Sequence, residues 1–400
     1  MSARRCVSAR SLQQLLAKTA EFIGAAGLTA WIYLTFFRGG FWRIQAPTDA
    51  SGFDLQQKIV VLIPARDEAA VIGTSVTSLF QQNYPGKIQI RVIDDHSSDG
   101  TGNAVLEAAR LASADDRVEV ISAGPLPSGW TGKLWALSEG LKGTQGLHPD
   151  FFLLTDADIL HSPQNLAQLV TRAETDNLDL VSLMVRLRCE SWAERWIIPA
   201  FVFFFFMLYP PAWVAKAKHK TAAAAGGCIL IRPQALAAIG GIDAIRGELI
   251  DDCALAARVK NMGGKIWLGV TSETQSLRAY PSMCDLERMI ARSAFTQLRH
   301  SSILLMATLA AMTAIFLAPP LLLLASPKAA WMGASSYLLM CMCVWPSLRL
   351  YKCPLWTAPL LPLIALFYLA ATIHSALSYW QGRGGVWKGR IQDSATVRAE

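Results

Sequence analysis

The sequence predicts an α/β fold with a mostly parallel, doubly wound sheet, joined to membrane helices, and three observations carry that reading. Over residues 55–300, strand-like apolar runs alternate with helix-like segments of ordinary charge, whereas residues 302–377 are almost free of acids. The run Phe151-Phe152-Leu153-Leu154 ends directly in Thr155-Asp156-Ala157-Asp158. This sets two acids, one residue apart, at the carboxyl end of a buried strand. In open α/β sheets that end is where ligands bind. A hard divalent cation suits such a pair, because Mg²⁺ is typically held by one or two carboxylates plus substrate phosphates.

Composition sets the frame. The 400 residues are 52% hydrophobic and 17% charged, and the mean hydropathy of +0.31 is high for a soluble enzyme and low for a pure membrane bundle. The formal charge of +7 suits anionic partners. There is no basic stripe interleaved with aromatics and no nucleic-acid motif, so no nucleic-acid partner is expected; Lys and Arg flanking membrane segments and facing anionic lipid explain the charge. The eight cysteines lack metal-type spacing, and Cys341 and Cys343 lie within an apolar run. They do not form a disulfide framework, which fits the reducing side of a membrane.

Taken in order, Phe22–Phe37 reads as an uncleaved amino-terminal anchor, its helix beginning near Lys18, whose side chain can snorkel. Lys58–Pro64 reads as a buried first strand followed by Ala65-Arg66-Asp67-Glu68, then a helix through Leu79 and the loop Asn83-Tyr84-Pro85-Gly86. A second strand, Ile88–Ile93, ends in Asp94-Asp95-His96-Ser97-Ser98-Asp99-Gly100-Thr101, a run of turn formers and caps that opens a helix through Ala109. Strands at Val118–Ser122 and Phe151–Thr155 complete a βαβαβ pattern with its loops gathered at one sheet edge. Asp251-Asp252 opens an amphipathic helix through Val259. Ser302–Leu324, Ala329–Pro346 and Leu355–Leu377 read as three spans, with Pro319-Pro320 kinking or ending the first. Ile197–Val214 carries Phe203–Phe206 but is broken by Pro210-Pro211 and flanked by Arg195 and by Lys216, Lys218 and Lys220, so it reads as an interfacial helix.

Pro64-Ala65-Arg66-Asp67-Glu68, Asp94–Thr101, Gly132-Lys133, Asp156-Ala157-Asp158 and Asp251-Asp252 occur in the order found in family 2 glycosyltransferases of the GT-A fold, which the chain resembles over about 58–300. A narrower likeness, to hopanoid-biosynthesis-associated membrane glycosyltransferases, rests on Gly129–Leu137, Leu249–Ala256 and Ala294–Arg299. The resemblance implies a nucleotide-sugar donor, with a UDP-sugar favoured, a divalent metal (Mg or Mn), a lipid acceptor and inversion of the anomeric centre. It maps the acceptor for the base imide N–H to Asp95 and the catalytic base to Asp252. Asp251 stands where the family usually has Glu.

The chemistry of the residues agrees with these roles. Glu68 and the backbone of Pro64, Ala65 and Arg66 would line the donor pocket, and Lys133 offers a compact cation to a diphosphate. Asp158 suits direct metal ligation, with Asp156 on the metal, the ribose or a bound water. Asp99 reads as a turn or capping residue, and His161 as structural or an outer ligand. Gly226-Gly227 and Gly240-Gly241 look like acceptor-side loops, where glycine permits close backbone approach. Processive relatives carry Gln-x-x-Arg-Trp. Gln297-Leu298-Arg299-His300 has its Arg one residue early and His for Trp, so Arg299 is a phosphate-binding candidate, with Arg288 and Arg292 as substitutes.

The expected organisation is residues 1–54 as tail and anchor (span about 19–37), 55–300 as the GT-A domain with interfacial segment 197–214, 301–379 as membrane helices and 380–400 as a tail. The expected place is the cell (inner) membrane with the catalytic domain cytoplasmic. Four spans then put Arg383, Lys388, Arg390 and Arg398 outside, against the positive-inside tendency, which a re-entrant carboxyl-terminal stretch would cure. Two other readings stay open: a processive polysaccharide synthase, and a membrane scaffold keeping an inactive GT-A domain.

Overall fold

A computed structural model describes residues 2–44, 55–144, 146–387 and 390–391. Lys388 and Arg398 of the tail, like residues 45–54, lie outside the described residues. The chain forms two compact units. One comprises Ile44–Glu190, Pro211–Tyr280 and Gly382–Glu400; the other comprises Met1–Arg43, Ser191–Pro210 and Pro281–Gln381. Residues 191–210 and 281–300, read from sequence with the catalytic domain, thus group with the terminal helices.

The first unit is built on an eight-stranded sheet of order β3-β2-β1-β4-β7-β6-β8-β5. Its strands are β1 Ile59–Ala65, β2 Ile88–Asp94, β3 Val118–Ser122, β4 Phe151–Thr155, β5 Ile159–Leu160, β6 Leu180–Arg186, β7 Cys228–Ile231 and β8 Ile266–Ser276. The first four are parallel neighbours, as the alternating pattern predicts. β7 runs antiparallel to both β4 and β6, β8 is parallel to β6, and β5 pairs antiparallel with β8. The sheet is a GT-A, Rossmann-like arrangement, mixed but mostly parallel. Every residue of β1 and of β4 is buried. Helices cover both faces of the sheet, so its central strands read as continuous rather than alternating apolar runs. Ile72, Val76 and Leu79 of the Ala69–Phe80 helix and Leu166, Leu169 and Val170 of the Asn165–Thr175 helix join that core. Each side chain so buried stabilises the fold by about 1.5–3 kcal/mol.

Among the described residues of the helical unit, and of the segment that leads out of it at residues 211–214, four stretches are long and apolar enough to cross a membrane: Leu12–Phe37, Trp192–Val214, Ser302–Leu322 and Leu355–Trp380. This set differs from the sequence expectation at two places. Trp192–Val214 qualifies by length and composition, although its continuous helix, Trp192–Leu208, stops before Pro210. Ala329–Pro346 lies in the helix Pro327–Leu350, which is long enough but less apolar, because Ser335, Ser336, Tyr337 and Pro346 interrupt it. Pro319-Pro320 do not end their helix. The chain widens into a π-turn at Thr313–Leu317 and resumes at Ala318–Leu322. Pro319 has no N–H for the Ile315 carbonyl, and Trp31 Nε1 donates to that oxygen at 2.8 Å. Small residues let these helices approach. A Cβ on Gly333 would lie 2.6 Å from the Pro319 carbonyl oxygen.

Candidate active site

Strand register delivers the predicted residues to one edge. Ala65 pairs with Asp94 across β1 and β2, so Arg66 and Asp95 leave the sheet side by side. Thr155 ends β4 opposite Cys228, the first residue of antiparallel β7, which brings Asp156 and the Gly226-Gly227 loop to the same edge. The helix Asp251–Asn261 carries Asp251 and Asp252 in its first turn, where its unpaired N–H groups favour negative charge.

These elements meet at Lys133. Its Nζ lies 2.9 Å from Asp156 Oδ1 and 3.1 Å from Asp251 Oδ2. Asp252 Oδ2 accepts from the Gly226 N–H at 2.8 Å, and its Oδ1 accepts from the Cys253 N–H at 2.7 Å. A Cβ on Gly226 would stand 3.2 Å from Lys133 Nζ and 3.3 Å from Asp252 Oδ2. Glycine is therefore what allows the ammonium and the carboxylate to share this corner. Pro64, Leu134, Leu154 and Ile229 line the same cleft, which encloses about 330 Å³ with part of it open to solvent.

The electrostatics follow from that packing. Burial opposes the charge on Lys133, but Asp156, Asp251 and Asp252 outweigh it and hold the ammonium above its usual range. Asp252 is pushed up to about 6, chiefly by burial and then by the Asp251 charge, while Lys133 and the two backbone N–H groups pull the other way. A carboxylate there is ionised at neutral pH yet basic enough to take a proton.

Asp158 faces different partners. Its Oδ2 accepts from Ser276 Oγ at 2.6 Å and lies 3.4 Å from Arg278 Nε, while Arg278 Nη2 reaches Glu68 Oε1 at 2.5 Å. Arg278 thus ties the Glu68 loop to the second acid of the Asp-x-Asp turn. Its guanidinium is held above its ordinary range by Asp158 and Glu68 in spite of burial. Arg278 and Ser276 are missed by motif reading, because Ser276 ends β8 and Arg278 follows it, and that edge-side strand has no signature. The usable signal is an Arg shortly after a β-rich run late in the domain.

Asp95 is fully buried. Arg66 Nη1 donates to its backbone carbonyl at 2.5 Å and lies 3.6 Å from Oδ2, and His96 Nδ1 is 3.5 Å from Oδ1. Asp99 is a turn residue as read: it accepts from Thr101 Oγ1 and the Ala69 N–H, which hold its carboxyl below the ordinary range against burial. His161 is structural. Its Nε2 meets Thr155 Oγ1 at 3.1 Å and its Nδ1 meets Asn165 Nδ2 at 2.9 Å, and burial pushes it down to about 3, so it is neutral. Arg299 belongs to the helical unit, in a left-handed turn (φ 52°) just after the Met283–Gln297 helix.

Among the described residues no three His, Cys, Asp or Glu side chains cluster to hold a metal by themselves. The Asp-x-Asp pair still fits a divalent cation. Lys133 engages Asp156 through Oδ1, and Ser276 and Arg278 engage Asp158 through Oδ2. Each carboxylate therefore keeps one oxygen without a hydrogen bond among the described residues, which suits a cation completed by substrate phosphates.

Comparison with known proteins bears on the family likeness and the fold. Residues 60–240 match the family model for glycosyl transferase family 2. A probable glycosyltransferase of Bacillus subtilis, YdaM, is 27% identical over 211 residues, 52% of this chain and 47% of its own. The beta-monoglucosyldiacylglycerol synthase of a Synechocystis species is 35% identical over 123 residues, 30% of this chain and 24% of its own. The match therefore spans about half the length, or less, of these curated relatives. Among solved structures, the mannosyltransferase PcManGT from Pyrobaculum calidifontis, in complex with GDP-Man and Mn²⁺, aligns with a TM-score of 0.53 at 19% identity, covering 90% of this chain and 99% of that one. At that identity the likeness shows the fold. Residues 60–240 thus resemble the family 2 glycosyl transferases on a sheet of the GT-A fold, and Asp251 and Asp252, beyond the matched stretch, complete the edge cleft.

Proposed function

We propose that the protein is an inverting, metal-dependent glycosyltransferase that moves a sugar from a nucleoside diphosphate donor to a lipid hydroxyl at the cytoplasmic face of the cell membrane. The observation that carries this reading is the Lys133 corner, where one ammonium joins Asp156 of the Asp-x-Asp turn to Asp251, next to Asp252. Donor-side and acceptor-side acids thus adjoin in one cleft. The lipid acceptor is supported by the likeness to the monoglucosyldiacylglycerol synthase and by the apolar helices. A hopanoid-type acceptor rests on the motif likeness alone.

Each residue has a task in that reaction. Asp95 accepts the imide N–H of a uracil-type base, with Glu68 and the Pro64–Arg66 backbone beside it, so a UDP-sugar is the favoured donor. Asp156 and Asp158 would hold a divalent ion, which when bound would supply positive charge against the leaving diphosphate. Lys133 meets the phosphates. Asp252 takes the proton of the acceptor hydroxyl as its oxygen bonds to the anomeric carbon and the bond to the diphosphate breaks. Attack from the side opposite the leaving group inverts that carbon.

The segment Trp192–Val214 enters and leaves the membrane on one side in this reading. Its helix of 17 residues spans about 25 Å, short of a hydrocarbon core of about 30 Å. β6 before it and β7 after it are hydrogen-bonded neighbours, which a single crossing would separate.

The test is calorimetric titration of UDP and GDP with and without Mn²⁺. Wild-type protein should bind with the ion and lose binding with EDTA, and Asp158→Asn should lose the dependence while melting normally. Tight Mn²⁺-dependent binding by Asp158→Asn would remove the proposed metal site.

A further inference from the structure

The helical unit holds a second cavity, unrelated to the acids of the glycosyltransferase domain. It lies between the Trp192–Leu208 helix, the end of the Pro327–Leu350 helix and the Leu355–Leu360 turn, and its volume of about 340 Å³ includes space open to solvent. Its walls are apolar, with Ala200, Val344, Leu348, Leu361 and Ile364 all buried. Its one charged lining residue is Arg195, which is exposed and makes no ion pair among the described residues.

Two further observations bear on the chemistry at that end. Cys353 Sγ lies 3.8 Å from the Arg195 carbonyl oxygen, so the turn ending the Pro327–Leu350 helix, with exposed Arg349 and Lys352, adjoins Arg195. Trp192, Trp196, Trp345 and Trp356 are exposed on the same segments, and residues 302–377 carry no acid to neutralise the cations. Exposed Trp beside Arg and Lys at helix ends is the composition of the membrane–water boundary. An apolar cavity opening there, with a planar, permanently charged guanidinium at its mouth, matches a phosphate ester carrying a hydrocarbon chain.

We propose that this cavity binds one anionic phospholipid, its acyl chain among Ala200, Leu348 and Ile364 and its phosphate at Arg195, with Arg349 and Lys352 adding attraction for a net negative head group. The site does not depend on the donor chemistry, and either reading can fail alone. Native mass spectrometry of the full chain, released from nanodiscs of equal phosphatidylglycerol and phosphatidylcholine, tests it. Wild-type protein should retain one lipid, with phosphatidylglycerol preferred about tenfold. Arg195→Gln, a surface change, should abolish the preference, and Ala358→Leu, which adds methylenes to the cavity wall, should cut retention of both lipids several-fold. Melting temperatures in detergent verify that both variants fold. Unchanged lipid retention in both variants, or a preference that survives Arg195→Gln, would overturn the proposal.

Discussion

Replacing Asp252 by Asn should abolish most of the transfer and, with it, the acid limb of the pH profile. With its carboxyl pushed up to about 6, about nine-tenths of Asp252 is ionised at pH 7 and about one-tenth at pH 5. A reaction that needs it as base should therefore slow about tenfold over that interval. The sign follows from the ionised form being the active one: the rate falls as pH falls through about 6. Asp252→Asn keeps the shape but cannot accept the proton, so transfer should drop about 10²–10⁴-fold and what remains should lack the limb. The fold should survive. One of the Gly226 and Cys253 N–H groups loses its acceptor, costing about 1 kcal/mol, while a buried charge disappears. Neighbours sharpen the assignment. Lys133 favours the ionised form and Asp251 disfavours it, so Lys133→Gln should move the limb up in pH and Asp251→Asn should move it down, with a smaller loss of rate. The assay is nucleoside diphosphate release in the presence of membrane lipid extract, from pH 4.5 to 8.5. An unchanged limb in Asp252→Asn, or equal losses in Asp251→Asn and Asp252→Asn, would refute the choice of carboxylate.

Other expectations concern the same corner and the chain around it. Gly226→Ala must displace Lys133 or Asp252 by a few tenths of an ångström; transfer should fall about tenfold, short of the ~10²-fold cost of a 1 Å misplacement, with donor affinity in titration little changed. Lys133→Met leaves Asp156, Asp251 and Asp252 without their shared cation, so its melting temperature should drop more at pH 8 than at pH 5, where protonation relieves the repulsion. A drop independent of pH would assign Lys133 a packing role instead. Cysteine reporters at residues 190 and 220, in an otherwise cysteine-free background, should label from one side of the membrane, and labelling from opposite sides would make Trp192–Val214 a true crossing.

Much of this architecture is legible in the chain because local and long-range signals agree. β1 to β4 lie within a residue of the apolar runs that predict them, since strands buried on both faces announce themselves by composition. The second half of the sheet is less visible. β6, Leu180–Arg186, and β8, Ile266–Ser276, carry no turn motif that marks their place, and the antiparallel insertion of β7 depends on pairing across more than seventy residues. The same limit hides Arg278, whose role exists only because β8 delivers it beside Asp158 and Glu68. Lys133 shows the reverse: Gly132-Lys133 is a weak motif, yet the fold makes it the cation that joins Asp156 to Asp251 beside Asp252. The long apolar stretches are the least legible, because hydropathy reports length and apolarity but not the return of the chain to β7.

The most direct test of the central claim is to incubate the purified protein with a panel of nucleotide sugars, Mn²⁺ and membrane lipid extract, and to identify the product by mass spectrometry and its anomeric configuration by NMR. The account predicts a lipid carrying a single sugar of configuration opposite to the donor's, formed by wild-type protein and lost with EDTA or in Asp252→Asn. A polymeric product, a retained configuration, or equal product from Asp252→Asn would contradict it.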